Sequence, residues 1–235
     1  MDTFTKTMSP NDYGELQAET AMITNVIASL GGASAFILQH QHRLWEYAMT
    51  IAAIQTDKSI RTILDIGTGQ SPLPAILNAM GYEVTGSDVG GQPPGWGNMA
   101  WINHAESGIK KKYDVITSIS TIEHIEAWDV SLRRWWASAD KMLIVTTDVT
   151  PKGKQMTTAH MRSYEIGDLH DVMLGFPGAV DVGKVDTTYY GDFVYSYSFG
   201  VVAIKKETVK EEKVHVKETK PEGKESKGKR SYSSV

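Results

Sequence analysis

The short apolar run Arg61–Ile66 stops at Gly67-Thr68-Gly69, and Gln70, Ser71 and Pro72 lead into a second apolar stretch. A strand that ends on paired glycines and restarts as a helix constrains the fold more than any other feature of the chain. Glycine takes positive φ without steric cost, so the pair permits a tight strand-to-helix turn. Ser71 can cap the following helix, Pro72 suits its first turn and Gly81 stops it after Met80. Tyr82–Ser87 then reads as a second strand ending at Asp88. A dinucleotide turn asks for G-x-G-x-x-G, and counting from Gly67 the third glycine falls on Pro72. That match fails. The spacing that fits is acidic-x-Gly-x-Gly, formed by Asp65, Gly67 and Gly69, with Asp88 closing the second strand 21 positions after Gly67.

Beyond this turn, strand and helix signals alternate. Residues 12–55 read as helical and apolar on one side, broken at Gly31-Gly32. Met99–Asn103 reads as a third strand after the loop GGQPPGWG, and Tyr113–Ile119 as a fourth, followed by a helical stretch through Trp136. Lys141–Thr147 is a buried strand, Tyr164–Leu174 a helix, and Ala179–Val185 and Phe193–Lys205 two closing strands. Strand–helix alternation predicts an α/β, doubly wound parallel sheet, and the closing strands predict an antiparallel hairpin at one edge. The boundaries expected are a helical cap over 1–57, a ligand-binding domain over 58–205 and a charged tail over 206–235.

Composition removes several function classes. The chain has no cysteine, which excludes disulfides, thiolate metal sites and cysteine nucleophiles. It shows neither a signal-like N-terminus nor an 18-residue apolar run, so a soluble, cytoplasmic protein without membrane contact is expected. Residues 205–235 hold 10 Lys/Arg against 6 Glu, which leaves 14 basic and 22 acidic groups, a balance of −8, for residues 1–204. So acidic a body is a poor nucleic-acid surface, which needs basic stripes. The tail is low in apolar residues and reads as a disordered, solubilising extension, with contact to a partner or nucleic acid as its alternative role.

The set ILDIGTG (63–69), VTGSD (84–88) and YDVITSISTIEHI (113–125) resembles the class I S-adenosylmethionine (SAM)-dependent methyltransferases. A looser likeness to members acting on small molecules and glycan intermediates adds RLWEYAMTI (43–51), HMRSYEIGDL (160–169) and Gly175-Phe176. The resemblance implies a Rossmann-like, mostly parallel, seven-stranded sheet with an antiparallel strand near the C-terminal edge, and SAM as cofactor. It implies that Asp65, Gly67, Thr68 and Gly69 hold the methionine moiety, Asp88 accepts from the ribose hydroxyls, and Ser118, Ile119 and Ser120 line the wall beside the sulfonium. Family members usually carry an acidic residue after strand three for the adenine amino group. Asn103-His104-Ala105 stand there instead. That leaves the Asn103 carbonyl and the Ala105 amide as adenine contacts.

Methyl transfer needs alignment first, and a base only where the acceptor must lose a proton early. His124 in ISTIEHI is the first candidate base, against a surface histidine beside a dipole-complementing Glu123; His160 is the second. Glu46 and Tyr47, on the helix whose Trp45 reads as a core anchor, would line the acceptor pocket with Arg162, Tyr164 and Tyr190. After strands four and five only Asp148 offers a carboxylate for a metal, so no metal is expected. Residues 118–121 are SIST rather than [DN]-P-P-[YFW], which sets aside DNA amino-methylation. The leading reading is methyl transfer to O or N of a small-molecule or saccharide-like acceptor. Protein lysine methylation, a silent SAM-fold scaffold and a nicotinamide enzyme are the alternatives.

Overall fold

A computed structural model describes residues 3–9, 11–29, 41–92, 99–103, 109–150, 164–165, 168–181, 184–186, 188 and 198–205. In chain order it shows β1 (Thr3–Thr7), α1 (Asp12–Glu15), α2 (Gln17–Ser29), α3 (Gln41–Gln55), β2 (Thr62–Ile66), α4 (Leu73–Ala79), β3 (Glu83–Asp88), β4 (Ala100–Asn103) and β5 (Tyr113–Ile119). After a 3-10 turn at Ile122–His124 come α5 (Trp128–Ser138), β6 (Ala139–Thr150), β7 (Tyr164–Glu165), α6 (Asp168–Leu174), β8 (Ala179–Asp181), β9 (Lys184–Asp186) and β10 (Ser198–Lys205).

The strands form one sheet in the order β4-β3-β2-β5-β6-β10-β1-β9, with β8 on β10 and β7 on β6. From β4 to β6 every pairing is parallel, and β10 then runs antiparallel to β6. The expected Rossmann-like sheet of seven strands is therefore β4, β3, β2, β5, β6, β10 and β8. Helices cover both faces. Ile63, Val115 and Ile144 pack with Ile23 of α2, Trp45 and Ile51 of α3 and Leu77 of α4. Leu64, Ile116 and Leu143 pack with Leu132 and Trp135 of α5 and Leu169 of α6 on the other. Alternate side chains of each strand feed the two cores, as the two-residue period of a strand requires.

Three elements differ from the sequence expectation. The N-terminal segment begins with a strand: β1 lies antiparallel to β10 (Lys6 opposite Gly200) and parallel to β9. Residues 164–174 are not one helix. Tyr164–Glu165 pair with Val149–Thr150 at the tip of β6, and the helix occupies only Asp168–Leu174. The closing strands do pair antiparallel as expected, β8 on β10, but β1 lies end to end with β8 on the same side of β10 and extends the sheet beyond them. Among the described residues no helix is long and apolar enough to cross a membrane.

Candidate active site

Parallel pairing brings the carboxyl ends of β2, β3, β5 and β6 together, where open α/β sheets bind ligands. At β2 the chain turns through Gly67 (φ 73°) and Gly69 (φ 48°). The Gly67 and Thr68 N–H groups both donate to the Ser87 carbonyl, at 2.8 and 3.0 Å, which ties the turn to β3. Gly69 N–H donates to Asp88 Oδ2 at 2.9 Å, and Gly90 N–H to Oδ1 at 2.8 Å. Each carboxylate oxygen has two acceptor sites, so Asp88 keeps capacity for two further donors. Beside it Val89 is 78 % exposed, an apolar face next to an acceptor pair.

The two glycines serve different ends. A Cβ on Gly67 would lie 2.1 Å from the Thr121 side chain, whose hydroxyl donates to the Gly67 carbonyl at 3.3 Å. Gly67 is required by the protein's own packing. A Cβ on Gly69 would meet nothing closer than Asp88 Oδ2 at 3.9 Å, so the space over that residue is open. Behind the turn Asp65 is only 2 % exposed. Its Oδ1 accepts from Thr117 Oγ1 at 2.6 Å and its Oδ2 from Thr68 Oγ1 at 2.9 Å. Burial pushes this carboxyl up to about 6 against those two bonds.

A second constellation sits where α3 meets the ends of β5 and β6. Ser120 is the non-glycine residue at positive φ (44°) among those described, a conformation that costs strain and turns its hydroxyl out of the strand register. Its N–H donates to the Thr146 carbonyl at 3.0 Å, and its Oγ donates to Glu46 Oε1 at 2.8 Å. Glu46 Oε2 accepts from Arg43 Nη1 at 2.9 Å, one helical turn earlier. Burial is the largest influence and lowers the Arg43 guanidinium, but Glu46, Tyr47, Asp148 and Glu123 together outweigh it and hold it above its ordinary value. Asp148 and Glu123 also feel the Arg43 charge. Glu123 is 0 % exposed; its Oε2 accepts from Thr147 Oγ1 at 3.2 Å, and its Oε1 has no hydrogen-bond partner. Burial, with Asp148 and Glu46 nearby, pushes Glu123 up to about 8, although its own backbone amide opposes the rise. Burial and then Glu46 push Asp148 up to about 6, against the pull of Arg43.

His124 stands beside this cluster with its ring exposed, lowered by partial burial and by Arg43. Tyr47 is buried; burial raises its phenol, and a hydrogen bond to Ser71 opposes the rise. Trp45 is in the core, as are Trp135 and Trp136. Ser118 and Ile119 are buried at the end of β5, and Asn103 ends β4 opposite Asp88, where its Oδ1 accepts from Trp101 Nε1 at 3.0 Å. His104, Ala105, His160, Arg162, Tyr190 and the tail 206–235 lie outside the described residues, and Tyr164 is described in its backbone alone. A cavity of about 540 Å³ beside β4, lined by Thr85, Ile102, Lys110 and Tyr113, contains no residue of the glycine turn. Among the described residues no group of three His, Asp or Glu is placed to hold a metal ion.

The sequence did not single out Arg43, Val89 or Thr117, and it offered Glu123 only a role complementing a helix dipole. The Arg43–Glu46 pair was available as an i, i+3 spacing of opposite charges on one helix. The burial of Glu123 had no sequence signal, because a lone glutamate beside a histidine reads the same on a surface.

A family model described as a methyltransferase domain matches residues 38–166. No curated protein matches the sequence. The fold is similar to that of magnesium protoporphyrin IX methyltransferase from Synechocystis PCC 6803, solved with bound SAM, at 16% identity and a TM-score of 0.53 over 75% of this chain and 85% of that one. It is also similar to 1,6-didemethyltoxoflavin-N1-methyltransferase from Burkholderia thailandensis, solved with 1,6-didemethyltoxoflavin and S-adenosylhomocysteine. There the identity is 14% and the TM-score 0.55, over 85% of this chain and 92% of that one. At these identities the likeness carries the fold.

Proposed function

The chain belongs to the methyltransferase-domain family, and on that premise we propose that it moves a methyl group from SAM to O or N of a small-molecule or saccharide-like acceptor. One observation carries the cofactor assignment: the Asp88 carboxylate, latched by the Gly69 and Gly90 amides, keeps two acceptor sites at the end of β3 beside the exposed Val89. Two ribose hydroxyls suit those acceptor sites, and a purine ring suits the apolar face. The open space over Gly69 admits the amino-acid end of the ligand. Asp65, buried behind the turn and held by the Thr117 hydroxyl, positions the turn through the Thr68 hydroxyl, which accepts in turn from the Ser87 N–H at 3.2 Å.

When bound, SAM supplies a methyl group on positively charged sulfur, so transfer is an in-line displacement. The protein's work is to align the acceptor and, where needed, to take its proton. His124, held below its ordinary value, is a neutral base at pH 7 on the rim of the constellation formed by Arg43, Glu46, Glu123 and Asp148. Glu46 is fixed by Arg43 and Ser120, and shapes the acceptor side of the site rather than moving protons.

Thermal unfolding with SAM, S-adenosylhomocysteine and NAD tests the assignment. Ligand at 100 times its Kd should add about 2.7 kcal/mol of stability for SAM and S-adenosylhomocysteine and none for NAD. Asp88→Ala should weaken SAM binding roughly 10- to 100-fold while leaving the protein folded. A shift with NAD and none with SAM would overturn it.

A further inference from the structure

Resting on the methyltransferase reading, we infer that the acceptor presents a basic amine to the buried carboxylates Glu123 and Asp148. Three carboxyl groups, Glu46, Glu123 and Asp148, share the field of one guanidinium, Arg43. Glu46 is satisfied by Arg43 at 2.9 Å and Ser120 at 2.8 Å. Glu123 is sealed from solvent, and although the Thr147 hydroxyl at 3.2 Å and its own backbone amide reach the carboxyl, its Oε1 has no donor. A sealed acceptor without a donor is costly, and the group that would relieve it is one carrying N–H or O–H hydrogens.

Charge chooses between those two donors. An alcohol would satisfy the Glu123 oxygen but leave two carboxyls facing one another. An ammonium would satisfy it and also bring the missing positive charge, so that Glu123 and Asp148 both ionise around it. The facing groups are Arg43 and Glu46 from α3, Asp148 from β6, and His124 from the turn that carries Glu123. The acidic body, at −8 over residues 1–204, draws cations toward the site. In the reaction Glu123 and Asp148 hold the ammonium while one N–H proton passes to the neutral His124 imidazole on the rim and leaves a lone pair on nitrogen. That lone pair forms the N–CH3 bond as the C–S bond breaks, its electron pair going to sulfur. S-adenosylhomocysteine and the methylated ammonium result, and the exposed His124 returns its proton to water.

The test is ligand-observed NMR on the full chain saturated with S-adenosylhomocysteine. The probes are matched pairs, benzylamine with benzyl alcohol and glucosamine with glucose, together with the peptide acetyl-Gly-Lys-Gly-amide, which distinguishes a protein lysine from a small amine. At least one amine should bind tenfold or more tighter than its alcohol, and Glu123→Gln and Asp148→Asn should each remove most of that preference. S-adenosylhomocysteine affinity should stay within about twofold in both variants. Calorimetry in two buffers of different ionisation enthalpy should show amine binding releasing protons at pH 7. Alcohols binding as well as amines, no pair separating parent from variants, or a matching loss of S-adenosylhomocysteine affinity would overturn the inference and leave methyl transfer standing. Failure of the parent to bind S-adenosylhomocysteine would instead count against the methyltransferase reading.

Discussion

At the scale of single residues, Glu123 and His124 show how neighbours in sequence come to opposite environments. They occupy a 3-10 turn, where successive side chains diverge, so the carboxyl is buried and the imidazole exposed. Glu123 keeps its proton in the folded state to about pH 8, whereas an unfolded glutamate releases it near its ordinary value of 4.5. A carboxyl raised in this way stabilises the fold at low pH, and that contribution is lost as pH rises through the folded value. Asp65 and Asp148, both raised to about 6, lose theirs at lower pH, and His124 is already neutral by pH 7. Between pH 7 and 9 the unfolding free energy of the cofactor-free protein should therefore fall, by roughly 1 kcal/mol per pH unit at the start. Glu123→Gln should flatten that slope in urea denaturation series, and an unchanged slope would show that another group titrates there. The spacing of Asp65, Gly67, Gly69 and Asp88 was legible in the sequence because each stands at a strand end with a backbone demand. The burial of Glu123 was not, because it depends on β6 and α3 converging from distant parts of the chain.

At the scale of elements, legibility followed apolar periodicity. Strands β2, β3 and β5 and helix α4 carry clear apolar runs with glycine or proline punctuation, and their observed bounds lie close to those read from the sequence. β1 carries no such signal. Its sequence is Thr-Phe-Thr-Lys-Thr, and both of its described side chains, Phe4 and Lys6, are buried. A lysine facing inward looks like a solvent residue until its partner is known. That partner is Asp12, 2.5 Å from Lys6 Nζ and fully buried, which also accepts from the Ser9 N–H at 2.8 Å. The ion pair pins β1 to the start of α1 and so keeps the edge of β10 covered. Asp12→Ala should cost about 3–5 kcal/mol, because it leaves the Lys6 ammonium buried without its counter-ion. Adding Lys6→Met should recover part of that loss. A cost below about 1 kcal/mol for Asp12→Ala in urea denaturation would mean that β1 is held by its backbone pairing alone.

At the scale of the whole molecule, the sheet separates two tasks. Its central parallel strands present the glycine turn, Asp88 and the carboxyl cluster at their carboxyl ends, while β10, β1, β8 and β9 extend the sheet beyond β6. The last described contact of the chain lies in that extension. Lys205 ends β10, donates through Nζ to the Ala139 carbonyl, and sits 5.0 Å from the centre of the Trp136 ring. Lys205 also pairs with Ala179 of β8, so it joins β10, β8, α5 and the start of β6 at one corner. Two truncations one residue apart should therefore behave differently. A chain ending at Lys205 keeps the corner, and its unfolding free energy and SAM affinity should match the full chain within about 0.5 kcal/mol. A chain ending at Ile204 loses the hydrogen bond and the cation–π contact, together about 1–2 kcal/mol. Its SAM affinity should still be unchanged, because the corner is remote from the β2 and β3 turns. Both quantities are read from urea denaturation and calorimetry. Equal stability of the two truncations would remove Lys205 as the closing anchor, and a loss of SAM affinity in the longer one would show that residues 206–235 contribute to the cofactor site.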